Sequence, residues 1–255
     1  MSKVIAVFGA GPGRGVALAR RFGREGFRVA LVARRKDRLE ELAEQLRRER
    51  IEAMSFPADL SDPAGVPELI SAIRADFGRI DVVEYGPIGI GRHFIPATEL
   101  DADALRNYVP LLLLTPIEVV RALLPEWTER GDGTFLLTHG ASAVNPLPGI
   151  SGTGAIMAAT RSYLYSLNAG LAGTGVYAGT LAIAGLISGS EIAATLSDVP
   201  SDSDSPAANL PVVNPAELAD QYWDMYTTRD RIEVVYPGTP NRSFSSKIGP
   251  DDAAS

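Results

Sequence analysis

The sequence predicts an α/β domain built as a doubly wound parallel sheet, with helices on both faces and three layers in all. Three observations lead there. Apolar runs of strand type alternate with stretches of helical period from the N-terminus onward, and the first run passes directly into a cluster of glycines. The 255 residues, 45% of them hydrophobic, suffice for one sizeable core. Residues 1–240 are therefore expected as a single domain, with 241–255 as a C-terminal tail.

The elements follow in order. A strand over 4–8 meets the glycines, then come a helix over 15–25, a strand over 29–32, a helix over 38–49 and a strand over 53–56. Ser61, Asp62 and Pro63 suit the start of a helix over 64–77. A strand at 82–84, a helix over 103–129 and a strand at 134–138 continue the alternation. A long helix over 152–172 and a strand over 176–183 complete it. From 196 to 215 the chain turns to Ser, Asp, Pro and Ala without period, which reads as a mobile loop, either a lid over a site or a surface excursion. Asn214 and Pro215 then open a helix to about 226, and a short strand over 232–236 follows.

Composition excludes several functions. The formal charge of −7, with no dense basic run, argues against nucleic acid. The absence of cysteine removes disulfides and thiolate chemistry and fits a cytoplasmic protein. Two histidines without a carboxylate cluster give a metal site little support. The apolar run 4–8 is too short for a signal peptide, and 111–114 lies between Pro110 and Pro116, so no membrane span is expected.

The chemistry begins at Gly9-Ala10-Gly11-Pro12-Gly13-Arg14-Gly15, placed between the first strand and the first helix. Glycines allow a tight turn and close backbone approach. The helix start offers free N–H groups and partial positive charge to a pyrophosphate, which is the logic of the Rossmann fold. After the second strand, where an acid would accept from the ribose 2′-hydroxyl of NAD, the chain has Arg34 and Arg35. Two guanidinium groups suit a 2′-phosphate, so NADP(H) is the expected cofactor.

The spacing of Gly9, Gly13 and Gly15 resembles the Gly-x-x-x-Gly-x-Gly turn of the short-chain dehydrogenase/reductases. Asp59 and Leu60 resemble that family's adenine contact. Gly149 before the long helix and Ala184-Gly185-Leu186-Ile187 after the sixth strand resemble its segments beside the nicotinamide. The likeness spans about 3–190 and implies Gly9, Gly11, Gly13, Arg14, Gly15, Arg34, Arg35, Asp59, Leu60 and Ile187 as the cofactor-binding set. For the Arg14 side chain three readings stand: a contact to the pyrophosphate, a contact to a substrate anion, or extension into solvent.

The resemblance fails at the family's catalytic positions. Anchored on Pro148-Gly149, its tyrosine falls on Thr153 and its lysine on Met157, its serine on Gly140, and its asparagine near Leu111 or Leu112. Tyr163 and Tyr165 have no lysine four residues on, so a register shift does not restore the pair. Threonine is too weak an acid and methionine carries no charge. Three groups at strand carboxyl ends are candidate substitutes: His139, Ser142 and Tyr85. Each also has a structural reading, as a strand histidine held by hydrogen bonds, a turn hydroxyl and a packing aromatic respectively. His93 reads as a surface loop residue.

These readings lead first to an NADP(H)-dependent oxidoreductase acting on a small organic substrate, an imine, an activated C=C bond or a carbonyl, without the usual Tyr/Lys relay. A degenerate NADP(H)-binding or sensor protein and a non-redox isomerase or cyclase are the alternatives. The apolar runs in 111–124 and 154–172 correspond to helices through which the resembled family associates, so a homodimer or homotetramer is expected.

Overall fold

The chain enters the sheet as β1 (Val4–Phe8), turns through the glycines into α1 (Arg14–Arg24) and returns as β2 (Arg28–Ala33). A computed structural model of the protein describes residues 2–88, 95–147, 149–196 and 210–238. α2 (Lys36–Arg48) and β3 (Ala53–Pro57) follow, then α3 (Val66–Phe77), which Asp62 introduces by accepting from the N–H of Ala64 in a preceding short turn. β4 (Val82–Tyr85), α4 (Ala102–Val109), α5 (Thr115–Arg130), β5 (Gly133–Gly140), α6 (Ser151–Gly170) and β6 (Val176–Ile183) come next. The chain continues through β7 (Leu186–Ile187), α7 (Glu191–Leu196), β8 (Val212–Val213), α8 (Pro215–Thr228) and β9 (Glu233–Tyr236).

Seven strands pair in the order β3-β2-β1-β4-β5-β6-β9, all parallel. Strand alternation sends Ala6, Phe8, Val83, Tyr85, Phe135 and Leu137 to the face covered by α3, α5 and α6. Ile5, Val7, Leu31 and Leu136 go to the face covered by α1, α2 and α8. Each such side chain, fully buried, contributes about 1.5–3 kcal/mol, so both faces are needed to hold a sheet this wide. The order reverses at β1, whose neighbours β2 and β4 lead away in opposite directions. A crevice therefore opens at their carboxyl ends.

Two expectations change. The helical stretch expected over 103–129 is present over 102–130, but Pro110 and Pro116 do not cut its apolar run short: residues 110–114 form a π-helical turn joining α4 to α5, and the stretch is long and apolar enough by composition to cross a bilayer. Leu112, Val119, Val120, Leu123 and Trp127 of that stretch are buried in the core. The loop expected over 196–215 ends earlier, because Val212 and Val213 pair with Leu186 and Ile187 in a small second sheet. Residues 197–209 of that loop, the tail, His93 and Pro148 lie outside the described residues.

Candidate active site

A cleft of about 870 Å³ runs across the carboxyl ends of the central strands. The glycine turn forms its floor. Gly9 has φ +83°, and a Cβ there would lie 2.5 Å from the Pro87 Cα; at Gly15 it would lie 2.8 Å from the Ala10 Cα. Gly9 thus excludes a side chain on conformational and steric grounds together, and Gly15 on steric grounds. A Cβ on Gly11 would meet nothing within 4 Å, which leaves that stretch of backbone open to a ligand. Gly13 caps α1 without a side chain, so the N–H groups of the first turn have no side-chain acceptor.

Arg34, Arg35 and Arg38 rim one end of the cleft, with Asp59 and Leu60 beside them. Arg34 and Arg35 are exposed, and Arg35 pairs with Glu191 of α7 across the opening. Asp59 braces its own turn by accepting from the N–H of Ser61 at 2.9 Å. Ile187 lines the far wall with Leu186 and Ile183. A nucleotide-sized cleft, a side-chain-free floor and a cationic rim fit a phosphorylated dinucleotide. Arg38, in the first turn of α2, was not singled out in the sequence.

Of the three readings of Arg14, extension into solvent is corrected: the residue lines the cleft, and its buried guanidinium turns under the glycine turn, where Nη1 donates to Glu84 Oε1 at 2.7 Å and Nη2 to the Gly86 carbonyl at 2.7 Å. Glu84 is fully buried, and burial raises its pKa against the opposing pull of Arg14 and Thr138. The Thr138 hydroxyl also bonds Glu84 and meets that of Tyr222. Gly86 makes room for this arrangement, since a Cβ there would collide with the Arg14 guanidinium.

Tyr85 is likewise corrected. It faces the α6 side of the sheet, packed between Phe8 and Phe135, and is 1% exposed. Its hydroxyl donates to the Leu111 carbonyl at 2.5 Å. The cause lies in the π-helical turn: the Thr115 N–H bonds back to Pro110 and leaves the Leu111 carbonyl without its usual helical donor. Leu112 is served in the same way by the Thr160 hydroxyl, since Pro116 has no N–H to give. Burial drives the Tyr85 pKa well above the ordinary tyrosine value.

At the inner end of the cleft lie His139, Gly140, Met157, Asn107, Tyr108 and Leu111. His139 is 3% exposed, and its Nδ1 lies 3.0 Å from the Gly140 carbonyl, to which it donates. Burial lowers its pKa below the ordinary histidine value. The Met157 sulfur accepts from the Gly140 N–H at 3.4 Å. Ser142 is not among the cleft-lining residues; it sits in a 3-10 turn over the start of α6, where Gly154 leaves it room. Thr153 is buried at 4% and also lies outside the lining. Asn107 and Tyr108 are polar groups the sequence reading passed over, because nothing in the period of α4 marks which of its faces meets the cleft.

Residues 3–198 match the family model of the short chain dehydrogenases. The chain belongs to that family. A sulfoacetaldehyde reductase of Chromohalobacter salexigens is 31% identical over 177 residues, 69% of either chain. Among solved structures of the same fold, a short-chain oxidoreductase from Pseudomonas aeruginosa, described as containing an atypical catalytic centre, superposes with a TM-score of 0.81 at 20% identity. That match covers 94% of this chain and 98% of the other. L-sorbose reductase from Gluconobacter frateurii, solved with NADPH and L-sorbose, gives 0.76 at 22% identity, covering 92% and 94%. Within this short-chain dehydrogenase, then, the cleft lies where open α/β sheets bind their ligands.

Proposed function

We propose that this short-chain dehydrogenase is an NADP(H)-dependent oxidoreductase for a small organic substrate, an imine, an activated C=C bond or a carbonyl, in which His139 handles the proton in place of the family's Tyr/Lys pair. One observation carries the reading. A single cleft joins a cationic rim of Arg34, Arg35 and Arg38 to an inner end holding a buried histidine, while Thr153 lies outside the lining and Met157 offers only a thioether. NADP(H) bound there supplies or accepts the hydride.

The protein's own part follows from its residues. Gly9–Gly15 and the start of α1 hold the pyrophosphate, and the arginine rim holds the 2′-phosphate through charge-assisted hydrogen bonds. Leu111, Ile183 and Ile187 exclude water from the inner end. His139 is the group there whose ordinary pKa is nearest neutrality, and a positioned general acid is worth about 10²–10⁴-fold. A substrate that needs little proton donation tolerates the altered centre best. The P. aeruginosa oxidoreductase with its atypical centre supports such a departure on this fold, and the NADPH-bound sorbose reductase supports the cofactor.

The test is titration of cofactor-stripped protein with NADPH and NADH, followed by a deuteride-transfer screen over imines, enones and ketones. Preferential NADPH binding with label in a product is the expected result. Tight binding with no transfer to any class would replace this reading with that of a binding protein. We further propose that the chain associates as a dimer or tetramer through the α4–α5 and α6 helices, where Leu114 is 43% exposed. A monomeric mass in solution would contradict this.

A further inference from the structure

His139 is held at one edge and open at the other. Nδ1 donates to the Gly140 carbonyl, whereas Nε2 is buried and has no hydrogen-bond partner among the described residues. The Nε2 atom stands 3.9 Å from Glu233 Oε2. Glu233 lies on β9, two strands away, its side chain 13% exposed. Its carboxylate is already engaged by Arg161 of α6, with Nε at 2.5 Å and Nη2 at 2.9 Å. Arg161 in turn stacks on Tyr165, one helical turn along, and donates to its hydroxyl at 3.1 Å.

The arrangement distinguishes sharply between the two forms of the ring. In the neutral form, with the proton on Nδ1, a lone pair on Nε2 faces a carboxylate and gains nothing. In the protonated form an N–H faces it, and a small movement of either side chain closes an ion pair in a poorly solvated place. Arg161 opposes this twice, by occupying the carboxylate and by its own charge. We propose that Glu233 and Arg161 govern when His139 carries its proton: Glu233 is a positioning residue, the counter-ion that orients and holds the protonated ring, and Arg161 competes for it.

The neighbours are consistent with a control confined to this pair. Beside His139 on β6 stands Ala182, and Met157 on α6 is uncharged. Tyr108 and Asn107 of α4 share the cleft, and the Tyr108 hydroxyl is held still further from ionisation by burial. Among the described residues, Glu233 and Arg161 are the charged groups acting on the ring, the first favouring and the second disfavouring protonation, on top of a dominant disfavouring effect of burial. The catalytic meaning of this device rests on the reading of His139 given above; the titration itself does not.

The chain has only two histidines, so ring resonances in a pH titration by NMR are assigned with one variant, His93→Gln. In the full-length protein, Glu233→Gln, which retains an oxygen acceptor for Arg161, should move the His139 midpoint down. Arg161→Met should move it up, each by at least about 0.5 pH unit, and Arg161→Lys should restore most of the native midpoint. Movement in the same direction, or none in either variant with the amide spectrum intact, overturns the proposal. Opposite movements support it even if His139→Gln keeps full deuteride transfer, an outcome that would instead remove His139 from the chemistry.

Discussion

Two buried polar networks flank the sheet where the cleft opens, and adjacent residues of the same strands feed them. Thr138 turns to the α1/α8 face and joins Arg14, Glu84 and Tyr222; His139, the next residue, turns to the α6 face toward Glu233, Arg161 and Tyr165. The first network is the more deeply buried, although Glu84 Oε2, like the His139 Nε2 of the second, has no hydrogen-bond partner among the described residues. The Arg14 and Glu84 side chains are 6% and 0% exposed, and they tie the glycine turn to β4. The second lies between the cleft and the surface, with one ring nitrogen lacking a hydrogen-bond partner. The same chemistry, a cation beside a carboxylate beside a hydroxyl or ring, therefore fixes a backbone on one face and sets a ring nitrogen opposite a carboxylate on the other.

The largest effect is expected at Arg14. Arg14→Met leaves Glu84 buried without its counter-charge, and a loss of about 3–5 kcal/mol in urea unfolding is expected. The double variant Arg14→Met with Glu84→Met should recover most of it, since pairing in a dry site only offsets its own desolvation. Arg161→Met should cost far less stability, because its partner Glu233 reaches water.

The rim comes next. Arg34→Ala with Arg35→Ala removes charge-assisted bonds to the 2′-phosphate, each worth about 1.5–3 kcal/mol. NADPH affinity should fall at least about tenfold per residue in calorimetric titration, with NADH affinity nearly unchanged. Tyr85→Phe strands the Leu111 carbonyl and should cost about 1–3 kcal/mol of stability without changing deuteride transfer. Loss of transfer at full stability would return Tyr85 to the list of proton donors.

The smallest effect sharpens the contrast between the networks through acid. Burial holds the native His139 below its unfolded value, so the unfolded chain binds the proton first. The stability this group contributes is present above that unfolded value and is lost as pH falls through the folded one. Glu84 has the opposite sign: its native pKa is raised, so its contribution is present below its unfolded value and lost as pH rises through the folded one. Urea unfolding between pH 4 and 8 should therefore show His139→Gln and Glu84→Gln changing the pH dependence in opposite senses.

The sequence carried the fold because strand and helix periods are local, and it carried the glycine floor of the cleft because Gly9, Gly13 and Gly15 act within seven residues. The place of Arg34 and Arg35 along the same cleft was legible for the same reason. Arg14 was not, since its partner Glu84 lies 70 residues away and only strand pairing brings β4 beside β1. Tyr85 was placed at the correct edge of the sheet but on an undetermined face, and the carbonyl it serves exists only because of the π-helical turn. Glu233 sits in a short terminal strand with no motif around it. Its relation to His139 depends on the order β5-β6-β9, which no local pattern records.

In the proposed reaction His139, and not the residue at the family's tyrosine position, handles the proton. Single-turnover deuteride transfer from labelled NADPH to the best substrate of the screen, compared among the native protein, Thr153→Ala and His139→Gln, tests it most directly. Transfer should be essentially unchanged in Thr153→Ala and reduced about 10²–10⁴-fold in His139→Gln with NADPH binding intact. Transfer abolished by Thr153→Ala, or undiminished in His139→Gln, would contradict it.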